Sequence, residues 1–227
     1  MYLPGKILLL CLLLFSAQTL RSETQSGNLS PLPGGYLLFK PKNLGAPKIR
    51  VGGGTRSSLL SGPSVYVFAP EQAGYTVHSQ PDLYWYVSGA VDAPIDLEIS
   101  ANTGTLLKTR VNASGHSGLQ VWKLADYQVQ LQPEVQYRWQ VSIAADPQQN
   151  AANLSAHAGV IYAPASTALQ TSLEQAAPLS RAQLYAEDGD WYDAFATLQA
   201  TAQTTSDANI MDIRKQFLEQ VGLMLPE

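Results

Sequence analysis

The apolar residues of this chain repeat with a period of two as far as Pro164 and with a period near 3.6 beyond it. Strands present alternate residues to one face and helices every third or fourth, so the switch predicts two structural regions. Val65-Tyr66-Val67-Phe68 opens the first. Leu83, Trp85 and Val87 then alternate with Tyr84 and Tyr86, and Ile95, Leu97 and Ile99 with Asp96 and Glu98. Asn102-Thr103-Gly104 reads as a turn, Thr105 to Val111 as extended, Asn112 to Gly118 as a loop. Leu119 to Leu124, Tyr137 to Ile143 and Gly159 to Tyr162 complete about seven short strands, the count of a two-sheet β-sandwich of ~100 residues.

Beyond Pro164 helices are predicted from Thr167 to Ala176 and from Pro178 to Glu187. Trp191, Ala194, Phe195, Leu198 and Ala202 form one further apolar stripe, and Ile210, Ile213, Phe217 and Val221 another. Asp190 and Asp207 are expected N-caps and Gly222 a stop. With 45% hydrophobic and 14% charged residues the chain can bury a core.

Upstream of Ser64 the composition changes. Lys6 followed by Ile7 to Phe15 and then Ser16-Ala17 reads as a secretory signal peptide, cleaved near Ala17 to Ser22. The apolar run is short of the ~20 residues that span a bilayer. Cys11, the single cysteine, lies within it, so the mature chain would carry no thiol for metal binding, nucleophilic catalysis or redox chemistry. Between Glu23 and Glu71 there is no acidic residue, whereas from Glu71 onward 17 acids face 7 bases. The organisation expected is a signal peptide over 1–22, a basic Gly/Pro-rich extended arm over 23–63, a sandwich over 64–164 and helices over 165–227. The arm would lie on the acidic body by charge attraction or recruit an anionic partner. A net charge of −4 gives no bias toward nucleic acid.

Several motifs were weighed for chemistry. Arg50 with Gly52, Gly53, Gly54, Thr55 and Arg56 could form a backbone nest for an anion or a tight structural crossing. It has neither the spacing of a phosphate-binding Walker loop nor that of a dinucleotide fingerprint. Gly115-His116-Ser117-Gly118 lacks the last glycine of a hydrolase elbow and reads as a hairpin loop. Glu187, Asp188, Asp190 and Asp193 lack the order of a calcium loop and read as helix caps and a solvated face. His78, His116 and His157 are scattered, so no metal site and no cofactor is expected. Tyr84 and Tyr86 flank the core Trp85 and could stack on a sugar.

Three resemblances add to this reading. Leu131-Gln132-Pro133 leading to Tyr137-Arg138-Trp139 resembles the corner of fibronectin type III domains, which implies a Tyr137 hydroxyl bonded back to the corner and Trp139 on the strand that follows. Leu184-Tyr185-Ala186 leading to Gly189-Asp190-Trp191-Tyr192-Asp193-Ala194 resembles the turn of a tetratricopeptide repeat. A single unit is visible where an array needs about three, so a small helical bundle is expected, with Tyr185, Trp191 and Tyr192 as an interaction face. Arg50 to Arg56, Pro81-x-Leu83-x-Trp85-Tyr86-Val87, Tyr137-Arg138-Trp139, Arg181-Ala182-x-Leu184-Tyr185-Ala186, Gly189-x-Trp191-Tyr192-Asp193-Ala194 and Val221-Gly222-Leu223 together resemble the family filed as Domain of Unknown Function 928. That resemblance implies an exported protein of a photosynthetic bacterium and supplies no catalytic residues. It also implies a cysteine pair that this chain lacks, where Ser57-Ser58-Leu59 and Ala144-Ala145-Asp146 stand instead. The arm is then expected to dock through Ile49 and Val51. The expected function is an exported, non-enzymatic interaction or assembly module with an envelope protein partner; the alternative is a carbohydrate- or anion-binding sandwich.

Overall fold

The computed structural model describes residues 36–52, 63–91, 93–112, 116–143, 154–204 and 207–224. Eight strands are present among them: β1 (Val65–Val67), β2 (Gly74–Thr76), β3 (Asp82–Val91), β4 (Pro94–Ala101), β5 (Gly104–Asn112), β6 (His116–Lys123), β7 (Gln136–Ile143) and β8 (Leu154–Tyr162). Four helices follow: α1 (Thr167–Gln175), α2 (Pro178–Asp188), α3 (Trp191–Thr204) and α4 (Ala208–Glu219). The strands form a three-stranded sheet in the order β1-β3-β6 and a five-stranded sheet in the order β2-β8-β7-β4-β5.

Alternation decides which side of each strand is buried. On β4, Ile95, Leu97 and Ile99 are buried opposite Ile143, Val141 and Trp139 of β7. On β7 the pairing with β8 sets Trp139 beside Ala158 and Tyr137 beside Val160, all buried. The facing sheet contributes Val65, Val67, Leu83, Trp85, Val87 and Trp122 to the same core. The Tyr137 hydroxyl accepts from the Gln132 amide at 3.1 Å, the backward bond expected of the corner.

The structure corrects the sequence reading in four places. β2 is an additional strand; it is three residues long, pairs parallel with the end of β8, and its Gly-Tyr-Thr sequence has no apolar alternation to mark it. His116 to Gly118, read as a hairpin loop, belong to β6. β3 is not half-buried in its first half: Leu83, Tyr84 and Trp85 are all buried, because Phe195 of α3 meets the Tyr84 ring edge-on at 5.1 Å. Finally, the described part of the arm, residues 36–52, contributes to the core. Leu37 and Phe39 alternate inward, and Phe39 packs edge-on against Trp191 and Phe217 at 5.0 and 6.1 Å. Gln220 locks this segment by accepting from the Phe39 amide and donating to the Leu37 carbonyl.

Further along, the segment continues the edge of the five-stranded sheet, where Val51 and His157 exchange both backbone hydrogen bonds. Ile49 packs beside Gly159 as expected, whereas Val51 docks through its backbone and leaves its side chain exposed. Charge attraction contributes too: Lys42 pairs with Asp188 and Asp190, and Lys48 with Glu71. The signal-peptide segment and both substituted cysteine neighbourhoods lie outside the described residues.

Candidate functional site

Residues 189–194, the two-residue link after α2 and the first turn of α3, contact the N-terminal segment and both sheets. Gly189 ends α2 in the left-handed conformation (φ 86°), and a Cβ there would lie 2.5 Å from the Lys40 carbonyl oxygen. Only glycine meets both demands. Asp190 then receives Lys42 Nζ at 2.7 Å. Trp191 is fully buried, stacks on Phe217 at 4.5 Å and donates its Nε1 to the Phe68 carbonyl beyond β1. The Tyr192 hydroxyl accepts from Trp139 Nε1 and donates to the Gly159 carbonyl, both at 2.8 Å. Gly74 makes room for this ring, since a Cβ there would approach it to 2.8 Å. Asp193 accepts from the Val77 amide, the Thr76 hydroxyl and His78 Nδ1.

Beside this junction lies a cleft of about 360 Å³, lined by His78, Gln80, Pro81, Asp82, Arg181, Tyr185, Tyr192, Asp193, Ala196 and Thr197. The residues after β2 and the start of β3 form one wall, and α2 and α3 form the other. Arg181 and Tyr185 are four apart on α2 and so share a face. Asp193 fixes the His78 ring by its Nδ1, at 2.5 Å, and leaves Nε2 as the ring's other polar atom. The hydrogen bond to Asp193 raises the His78 pKa above its ordinary value, against the pull of desolvation, and the charges of Asp193, Asp190 and Asp82 add to it. Burial raises the Asp82 carboxyl. The Tyr185 hydroxyl is also raised, first by burial and then by Asp193.

The residues singled out by sequence fall elsewhere. Arg50 donates to the Ala69 carbonyl at 2.7 Å, and burial lowers its pKa. Gly52 lies beside the Tyr66 ring, while Gly53, Gly54, Thr55 and Arg56 lie outside the described residues. Tyr84 is no stacking platform: its ring is covered by Phe195 and burial pushes its hydroxyl up to about 12. Tyr86 is half-buried with its edge toward Phe68. Tyr185, Trp191 and Tyr192 are buried, so the expected interaction face is turned inward, with Tyr185 reaching the cleft. The acidic cluster is divided: Glu187 and Asp188 are exposed, as expected of a solvated face, whereas the Asp190 and Asp193 side chains are 0% and 5% exposed. Tyr137 accepts from the Gln132 amide, and Trp139 is buried with its Nε1 on the Tyr192 hydroxyl. His116 and His157 lie on strands, and no metal-binding group of three or more His, Cys, Asp or Glu occurs among the described residues.

Sequence reasoning passed over the cleft, because His78 and Asp193 stand 115 positions apart and nothing local marks either as a partner.

Residues 51–225 match the family described as Domain of Unknown Function (DUF928). The chain belongs to this family. Within the matched residues, the segment Gly189 to Ala194 carries the side chains that tie the helices, the sheets and the N-terminal segment together. No curated protein matches the chain. Among solved structures, the chain is similar to an engineered protein at 12% identity, over 45% of this chain and 20% of that one, with a TM-score of 0.32. The chain therefore spans about a fifth of that structure's length. Among the described residues no helix is long and apolar enough to cross a membrane.

Proposed function

We propose that this DUF928 protein is an exported, non-enzymatic interaction module of the cell envelope, in which a fibronectin type III-like sandwich carries a tetratricopeptide-like helical layer. Export is supported by the apolar leader after Lys6, and the sandwich assignment by the Tyr137 corner bond. The observation that carries the interaction reading is the outer face of the three-stranded sheet. Its pairing sets Tyr66, Tyr86 and Leu119 in one row across β1, β3 and β6, with Val121 opposite Tyr84 in the next. Tyr66 and Val121 are 39% and 41% exposed, and they lie in successive rows on one face of the same sheet. An apolar row of this kind on a sheet face suits a protein partner rather than a polar solute.

A crosslinked pull-down of the intact protein from its own envelope tests this reading. One dominant protein is expected, and it should be lost with a Tyr66→Ser, Val121→Lys double variant of unchanged thermal stability. Recovery of the same proteins by wild type and variant would overturn the assignment of this face.

A further inference from the structure

The polar side chains around the cleft fall into two groups. Those of Tyr192, Asp193 and Thr197 are already engaged in hydrogen bonds that hold the junction. Those of Gln80, Asp82 and Tyr185 make no hydrogen bond or ion pair among the described residues. Arg181 has one guanidinium nitrogen on the Leu173 carbonyl and keeps further donors, and His78, with Nδ1 on Asp193, has an Nε2 that donates when the ring is protonated, the form that the Asp193 carboxylate favours. The cleft therefore offers one uncommitted carboxylate on the sandwich wall, one guanidinium on the helical wall and an imidazole beside it.

We propose that this cleft binds a small zwitterion of the α-amino-acid type, its carboxylate held by Arg181 and His78 and its ammonium by Asp82. A ligand with a single charge would leave the opposite protein charge facing it in a partly desolvated recess, which is unfavourable. A zwitterion answers both. The volume is at the small end for a ligand site and suits a compact molecule. The Tyr185 ring, 6.5 Å from the imidazole of His78, with Pro81 and Ala196, supplies apolar wall for the remainder of the ligand. The carboxyl of Asp82, raised by burial, gains most from an ammonium brought beside it. This inference goes beyond the proposed docking face and concerns a different surface, so either can fail without the other.

The test is calorimetric titration of the intact protein with glycine and leucine, with N-acetyl-leucine, leucine methyl ester, sodium acetate, inorganic phosphate and glucose alongside. Free amino acid is expected to bind, and each singly blocked derivative to bind about tenfold more weakly or worse, a loss of about 1.4 kcal/mol. Arg181→Gln and Asp82→Asn are each expected to weaken binding of the free amino acid by a similar factor without moving the thermal transition. Arg181→Gln should leave the methyl ester, and Asp82→Asn the N-acetyl derivative, nearly unaffected. The proposal is overturned if glucose, acetate or phosphate binds as tightly as the amino acids. It is equally overturned if blocked and free forms bind alike, or if no free amino acid binds.

Discussion

Asp190 and Asp193 stand three residues apart at the start of one helix, both with carboxylates withdrawn from water, and they use burial in opposite ways. Asp193 has its two oxygens filled by an amide, a hydroxyl and an imidazole, all from the residues that end β2. Asp190 has Lys42 on one oxygen and no partner on the other. Burial accordingly pushes the Asp190 carboxyl up to about 7 even with a cation beside it. Lys42 is better solvated. Desolvation pulls its ammonium down, and the two carboxylates at Asp190 and Asp188 more than offset that. The first acid is a complete latch between helix and sheet; the second is an incomplete one between helix and N-terminal segment. A buried polar group stabilises a junction only in proportion to how fully it is satisfied.

Removing the complete latch should have the largest effect. Asp193→Ala leaves the Val77 amide and Thr76 hydroxyl without their acceptor and should cost about 3 kcal/mol in urea denaturation. Tyr192→Phe, between the two acids, keeps the ring but strips a bridge from Trp139 Nε1 and the Gly159 carbonyl, for about 2 kcal/mol. Lys42→Met should cost less, about 1 kcal/mol, because an Asp190 that is already easily protonated can go neutral when its cation is lost.

The smallest effects are differences in pH dependence, and they separate the two acids. Asp190 binds its proton more tightly folded than unfolded. Its contribution is therefore greatest at low pH and is lost as pH rises through the range between the ordinary aspartate value and about 7. Asp190→Asn should flatten the stability profile over that acid window. The His78–Asp193 contact also favours the protonated form of its base. Its contribution is complete below the ordinary imidazole value and lost as pH rises through the raised one, so His78→Gln should flatten the profile above pH 6.5 instead. Thermal melts at closely spaced pH values in wild type and both variants would show whether the two windows are distinct.

How much of this was legible beforehand follows from what a local pattern can carry. The alternation of β4 and β7 and the 3.6-residue stripes of α3 and α4 place those elements within a residue or two, because each buries one face against one neighbour. Asp207 caps α4 as expected, accepting from the Asn209 amide. Among the described residues the Asp190 side chain makes no capping bond to α3: one oxygen holds Lys42 and the other has no partner. Tyr84 misled for a related reason: period two marks which residues share a strand face but not whether a helix comes to lie on the second face. The Gly- and Pro-rich composition of the arm concealed the alternation of Leu37 and Phe39 within it. The cleft had no local signature at all, since its walls come from segments about a hundred residues apart that meet only after the turn at 189–194 is in place.

The turn at 189–194 should make helices and sheets one cooperative unit with one shared core. Hydrogen exchange measured peptide by peptide across a urea titration of the intact protein tests it most directly. The account predicts that peptides from β7 and β8 and from α2 and α3 lose protection at a single urea concentration, and that Asp193→Ala moves all of them together. Loss of protection in α2 and α3 at a lower concentration, with β7 and β8 still protected, would contradict it.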